Sequence, residues 1–213
     1  MRDAVDFTPE FRARLRDLFT WRRDVRRFRS VALPEGSMDR LIDVACRAPS
    51  VGLSQPWRFV TVDAPERRAA VRRTFETCNA EALAAQDASR RAHYARLKLA
   101  GLDEAPVHLA VFAERETTQG RGVGRMTMPE MAEYSVVAAV HTLWLAARSE
   151  GIGVGWVSIL EPAAITAALD VPGHWKLVAY LCLGYPAAES DIPELEREDW
   201  EHRRPPDTFL TRR

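Results

Sequence analysis

The sequence predicts a single α+β domain spanning residues 1–213, and three observations carry that prediction. Several segments open with helix-start residues and then repeat apolar side chains at helical spacing. Four short segments are strand-like, either alternating or continuously apolar. No repeat, low-complexity tract or linker divides the chain, and 213 residues suit one core of ordinary size.

Thr8-Pro9-Glu10 combines a cap, a first-turn proline and an acid, and Phe11, Leu15, Leu18 and Phe19 follow at helical spacing, so a helix should run to about Trp21. A second helix follows Ser37, with Met38, Leu41, Ile42 and Ala45 on one face, and ends before Pro49. A loop then leads to a strand over Trp57 to Val62. Pro65 opens a long helical region reaching Leu99, with a break near Ser89 and an end at Gly101. Val107 to Ala113 is apolar apart from His108, as expected of a strand buried on both faces.

Glu114 to Met126 reads as a loop. Thr127-Met128-Pro129-Glu130 has the pattern of a capping box and should start a helix that Gly151 terminates. Its residues Tyr134, Ser135, His141 and Trp144 are expected in the core. Val154 to Leu160 and Leu177 to Leu183 are two more strands, with a short helix after Pro162 between them. From Gly184 to Arg213 prolines and charges predict an extended arm, and such an arm buries too little on its own to offset its ordering entropy. It is expected to wrap a partner subunit.

Composition excludes several classes. Lysine plus arginine number 30 and aspartate plus glutamate number 30, which leaves no net field to draw the chain onto nucleic acid or an acidic membrane. Any phosphate binding must therefore be local. The apolar stretch Ser135 to Ala147 falls short of the ~20 residues a spanning helix needs. Met1 to Glu10 carries acids and lacks the apolar centre of a signal peptide, so a cytoplasmic protein is expected. Cys46, Cys78 and Cys182 are isolated, and the five histidines show neither HExxH spacing nor close pairing with cysteine, so no metal site is expected.

Four constellations could carry chemistry. Arg22, Arg23 and Arg26 cluster where the first helix ends, and the planar fork of arginine matches phosphate oxygens. Cations there also complement the helix dipole, worth about 0.3–1 kcal/mol each without any ligand. Asp24, set among them, is a salt-bridge partner if it lies at the surface; desolvated under a planar ligand, it becomes a proton-transfer group. The loop Ala48 to Trp57 offers two prolines, a glycine and three hydrogen-bonding side chains, either to a flat ligand or simply to connect helix and strand.

Gly151-Ile152-Gly153-Val154-Gly155 is GxGxG and runs from helix to strand, the reverse of the dinucleotide-binding order, so it predicts close backbone approach instead. In the strand that follows, alternation puts Trp156, Ser158 and Leu160 on one face and Val157 and Ile159 on the other. Ser158 is thus expected to be a buried hydroxyl needing a partner, whether backbone or ligand.

Read together, RRDVRRF at 22–28, APSVGLSQPW at 48–57, GRMTMPEM at 124–131, LWLAARSEGIGVGWVSIL at 143–160 and LCLGYP at 181–186 resemble the nitroreductase superfamily of homodimeric FMN proteins. The likeness is collinear over nearly the whole chain. Asp24 stands where the commoner flavin reductases have serine, and Leu53 where they usually have asparagine. Both departures resemble the 5,6-dimethylbenzimidazole synthase branch, which makes the lower ligand of cobalamin.

The resemblance implies a nitroreductase-like fold: a central, mainly antiparallel sheet flanked by helices, in an intertwined homodimer with exchanged C-terminal arms. It implies an enzyme that consumes reduced FMN with O2 as co-substrate, yielding 5,6-dimethylbenzimidazole and erythrose 4-phosphate. Asp24 would be the general acid/base and Ser158 a hydrogen-bond donor. Arg22, Arg23 and Arg26 would hold the phosphate and polar ring edge, with Arg203 a further phosphate contact. Pro49, Ser50, Gln55, Gly155 and Trp156 would touch the flavin, one of Ser50 and Gln55 from the partner subunit. The region Pro65 to Leu99 would form a lid, with Lys98 and Leu99 near the ring. How FMN is reduced stays open, a separate flavin reductase using NAD(P)H being one route. The other enzyme consistent with the resemblance is an NAD(P)H-dependent FMN nitroreductase or flavin reductase that retains its flavin.

Overall fold

The computed structural model describes residues 5–95, 97 and 101–213. Helix α1 spans Pro9–Trp21, and the Thr8 hydroxyl accepts from the Phe11 N–H at its start (3.2 Å). Helix α2 is Ser37–Ala45 and strand β1 is Trp57–Thr61. The long helical region divides into α3, Pro65–Ala84, and α4, Ala88–Tyr94, and Asp87 caps α4 by accepting from the Arg90 N–H. Gly101, expected to end that region, instead begins the short helix α5, Gly101–Glu104. Then come β2, Val107–Glu114, α6, Met131–Ser149, β3, Gly153–Val157, α7, Pro162–Leu169, β4, Trp175–Gly184, and the short α8, Glu194–Arg197, within the C-terminal arm.

The four strands form one sheet in the order β1-β2-β4-β3, with every pairing antiparallel. Helices cover both faces. Leu109 and Val111 of β2 and Leu181 and Leu183 of β4 pack against α2 and α6, while Ala110, Phe112, Tyr180 and Cys182 pack with Val71 of α3 and Ile165 of α7. Strand alternation thus divides the core into two layers, and β2 and β4 are buried on both sides as a continuously apolar run requires. Leu143, fully buried between α6 and the sheet, would cost about 2–5 kcal/mol if cut to alanine.

Three expectations are corrected. Helix α6 starts at Met131, because the Thr127 hydroxyl donates back to the Gly124 carbonyl (3.4 Å) in a glycine-rich turn and makes no capping box. Tyr134 and His141 lie on the outward side of α6, whereas Ser135 and Trp144 face inward as expected. Strand β3 ends at Val157, where its pairing with β4 stops at Tyr180. Beyond it the chain turns toward Glu161, whose carboxylate accepts from the Ala163 and Ala164 N–H groups and opens α7. Ser158 is therefore outside the strand and exposed, and Leu160 packs in the layer of Val157, not with Trp156.

Candidate active site

The site is built where α1 gives way to extended chain. Arg22 closes the helix, its N–H donating to the Leu18 carbonyl (2.9 Å), and its own backbone is extended. The next residues lie alongside β3, with a parallel bridge between Asp24 and Val154 and a bond from the Val25 N–H to the Val154 carbonyl (3.0 Å). Gly155 makes this possible: a Cβ there would stand 2.2 Å from the Val25 carbonyl oxygen. The close backbone approach expected of GIGVG is thus the approach of the arginine segment itself.

Asp24 is the centre of the arrangement. Its Oδ1 accepts from the Trp156 N–H at 2.9 Å, and its Oδ2 lies 3.7 Å from Arg26 Nε. The side chain is 39% exposed because one side opens on a cleft, while protein surrounds the rest. That burial raises the carboxyl pKa above its ordinary value against the opposing pull of the Trp156 N–H and Arg26, and Glu194 raises it further. Such a carboxyl can hold or release a proton nearer neutral pH than a surface aspartate does.

The arginines are fixed by different partners. The Arg22 guanidinium lies over the Trp144 ring, 4.9 Å from its centroid, and Trp144 Nε1 donates to the Arg23 carbonyl (3.3 Å). Arg23 donates through Nε to the Asp191 carbonyl of the C-terminal arm (2.8 Å). Burial lowers the pKa of both Arg22 and Arg23, and the charge of Arg203 lowers each again. The guanidinium groups of Arg22 and Arg23, adjacent in the chain, and of Arg203, from its far end, therefore repel one another. An anion placed among them would relieve that repulsion.

A cleft of about 260 Å³ is lined by Arg23, Asp24, Arg26, Trp144, Glu194 and Arg197, and a neighbouring hollow of about 520 Å³ by Arg23, Arg197 and Arg203. Sequence reasoning missed Glu194 and Arg197, because nothing in a charged arm states which turn folds back over the cleft. A larger opening of about 790 Å³, between the 115–129 loop and the start of β4, contains none of the expected site residues.

The structure brings together Arg22, Arg23, Asp24, Arg26, Gly155 and Trp156, with Arg203 beside them. It does not bring Pro49, Ser50 or Gln55 into this cleft. Their loop is anchored at the other end of α6, where the Ser135 hydroxyl accepts from the Val51 N–H (3.0 Å) and the Ser50 hydroxyl from the Gln55 N–H (3.1 Å). Trp144 lies nine positions after Ser135, roughly 13 Å along the helix. Ser158 sits just past the end of β3, two residues from the N–H that binds Asp24. Lys98 and Leu99 lie outside the described residues.

A profile of the nitroreductase family matches residues 19–185. The chain belongs to the nitroreductase family. It is 57% identical, over 96% of its length and 97% of the relative's, to a 5,6-dimethylbenzimidazole synthase of Rhodospirillum rubrum. It is 43% identical to a second protein of that name, from Rhodobacter capsulatus, over 94% of this chain and 97% of that one. Among solved nitroreductase-like structures, an oxidised iodotyrosine deiodinase bound to FMN and 3-iodo-L-tyrosine superimposes with a TM-score of 0.69 at 26% identity, covering 83% of this chain and 91% of the other. The nitroreductase resemblance seen in the motifs is borne out, and the antiparallel sheet between helices is the one it implied. Among the described residues no helix is long and apolar enough to cross a membrane.

Proposed function

We propose that the chain is a 5,6-dimethylbenzimidazole synthase, converting reduced FMN and O2 to 5,6-dimethylbenzimidazole and erythrose 4-phosphate, with the pyrimidine part of the ring leaving as an oxygenated fragment that carries both O2 atoms. The observation that carries this reading is Asp24, a half-buried carboxyl with a raised pKa held by the Trp156 N–H inside an arginine cluster. High identity to two proteins of that name supports it.

The residues present fit FMN. Arg22, Arg23 and Arg203 concentrate positive charge that a phosphate dianion would neutralise, and Arg26 lies beside Asp24 for the polar edge of a ring. FMN when bound supplies the reduced ring that reacts with O2. Asp24 then serves as the general acid/base, its Oδ1 oriented by the Trp156 N–H so that Oδ2 is the oxygen that gives and takes the proton. Ser158 donates a hydrogen bond from the end of β3. Pro49, Ser50, Gln55, Gly155 and Trp156 are the remaining proposed flavin contacts, together with Leu99.

The site is completed by a second copy. Helix α1 buries no residue within one chain although Phe11 and Phe19 are nearly half exposed, and Tyr134 and Val137 of α6 and Leu53 of the 48–57 loop add to that apolar surface. Covering it with the partner would stabilise the assembly and bring the partner's loop, with its own Pro49, Ser50 and Gln55, to the far side of the flavin. The arms would be exchanged across this dimer.

The test exposes the purified protein to O2 with chemically reduced FMN and follows flavin absorbance alongside chromatography for 5,6-dimethylbenzimidazole. Benzimidazole formed as flavin absorbance is lost supports the reading. Full recovery of oxidised flavin without benzimidazole overturns it, and turnover with NAD(P)H and a nitroaromatic would then mark a reductase that retains its flavin.

A further inference from the structure

The C-terminal arm touches two places at once. Glu194, Arg197 and Glu198 line the cleft that holds Asp24, and Arg197 and Arg203 line the hollow beside it. Between these contacts the chain reverses. Asp199 takes a left-handed backbone (φ 55°), with its N–H donating to the Glu196 carbonyl (3.1 Å) and the Trp200 N–H to the Leu195 carbonyl (2.8 Å). A left-handed residue closing a helix in this way redirects the chain sharply.

That turn lays the Trp200 ring on α4. It meets the His93 ring edge-on at 5.5 Å and the Tyr94 ring at 6.1 Å, with the Arg90 guanidinium 5.9 Å from its centroid. His93 Nε2 also pairs with the Glu198 carbonyl. Helix α4 has seven residues, none of them fully buried, and its link to α3 includes the bond from the Tyr94 hydroxyl to Asn79 Oδ1 (3.1 Å). A helix so short has little stability of its own, so its position depends on what grips it.

We propose that Trp200 is a positioning residue that clamps α4 to the Glu194–Glu198 segment lining the Asp24 cleft, so that arm and helix close over the site as one unit. Its consequence for catalysis rests on the flavin-fragmenting reading; the clamp itself does not. With the site open to water, reduced FMN passes two electrons and two protons to O2, giving oxidised FMN and hydrogen peroxide in place of benzimidazole. The clamp favours the productive course by keeping water out while Asp24 handles protons.

The experiment compares the full chain with Trp200→Ala and Trp200→Phe, measuring benzimidazole formed and hydrogen peroxide released per reduced FMN consumed. Trp200→Ala should lower benzimidazole per flavin about fivefold, with peroxide rising to match, and the aromatic ring of Trp200→Phe should restore most of it. A second readout needs no flavin: trypsin cleavage after Arg90 and Arg91 should be about tenfold faster in Trp200→Ala, because cleavage follows the population of released α4. Equal trypsin rates in the alanine variant and the natural chain overturn the clamp. Where the natural chain makes benzimidazole, an unchanged ratio of benzimidazole to peroxide in Trp200→Ala overturns the closure over the site. If the natural chain makes only peroxide, the flavin-fragmenting reading fails and the trypsin comparison alone decides whether Trp200 holds α4.

Discussion

Asp24 and the His108–Tyr180 pair are both titratable groups packed against the same sheet, and burial displaces the pKa of each, yet only one of them faces a cleft. His108 and Tyr180 are almost wholly enclosed, and His108 Nδ1 lies 2.9 Å from the Tyr180 hydroxyl, so each satisfies the other. Burial lowers the His108 pKa to about 4, with the charges of Arg68 and Arg72 adding to the effect, and raises that of Tyr180. Asp24 is 39% exposed on a cleft and lies near the charges of Arg26 and Arg22. A displaced pKa alone therefore does not mark a site. The combination with access and excess charge does.

The largest effects should come from the open site. Asp24→Asn keeps the shape of the side chain but cannot give or take a proton, so on the proposed reading benzimidazole formation should fall by about 10²–10⁴-fold while FMN binding is largely spared. Ser158→Gly should likewise abolish product with binding retained. Rapid-mixing assays with reduced FMN and O2, paired with FMN titrations, measure both quantities. Normal product from either variant removes that residue from the chemistry and breaks the contrast with the enclosed pair.

The enclosed pair should act on stability instead. An imidazole with a folded pKa near 4 and an ordinary value of 6.5 is held neutral by the fold. The unfolded chain takes up a proton as pH falls below about 6.5, and the folded chain does not until about pH 4. Stability from this group is thus fully present above about pH 6.5 and is lost between there and about pH 4, an effect of about 3 kcal/mol. His108→Gln cannot take up that proton, so its denaturant midpoint should vary less across this window than that of the natural chain. Equal slopes would mean that His108 is not held neutral.

A smaller change is expected at the partner hydroxyl. Tyr180→Phe leaves His108 Nδ1 without its bond and should cost about 1–3 kcal/mol in denaturant unfolding. Turnover per folded molecule should be unchanged, and a loss of turnover would make the enclosed pair part of the chemistry.

The two regions also differ in how far the sequence reveals them. RRDVRRF and GIGVG were legible because a helix end, clustered cations and paired glycines carry local meaning, and the structure sets these segments side by side. The His108–Tyr180 pair was not, since it exists only through the register that sets β2 against β4, with 72 positions between the two residues. Ser158 shows the reverse failure. Alternation extended along β3 predicts a buried hydroxyl, but β3 leaves the sheet where the Glu161-Pro162 start of α7 requires a turn. Thr127 misleads for a similar reason: its hydroxyl is taken by the Gly124 carbonyl, a local competitor that a four-residue capping pattern does not contain.

Arg203 gives the finest test of the contrast, because it is exposed and its charge has work to do only when an anion arrives. It contributes to the lowered pKa values of Arg22 and Arg23, so its removal relieves repulsion in the free protein and should leave thermal unfolding essentially unchanged. With FMN the sign reverses: losing a guanidinium proposed to hold the phosphate should weaken binding about tenfold at low salt, and less as salt screens the charge. Riboflavin carries the same ring without the phosphate, and its affinity for Arg203→Ala should match that for the natural chain. Paired fluorescence titrations of FMN and riboflavin measure this directly. Equal weakening of both ligands would mean that Arg203 shapes the ring pocket and that the phosphate lies elsewhere, whereas a loss confined to FMN places the phosphate beside the arm.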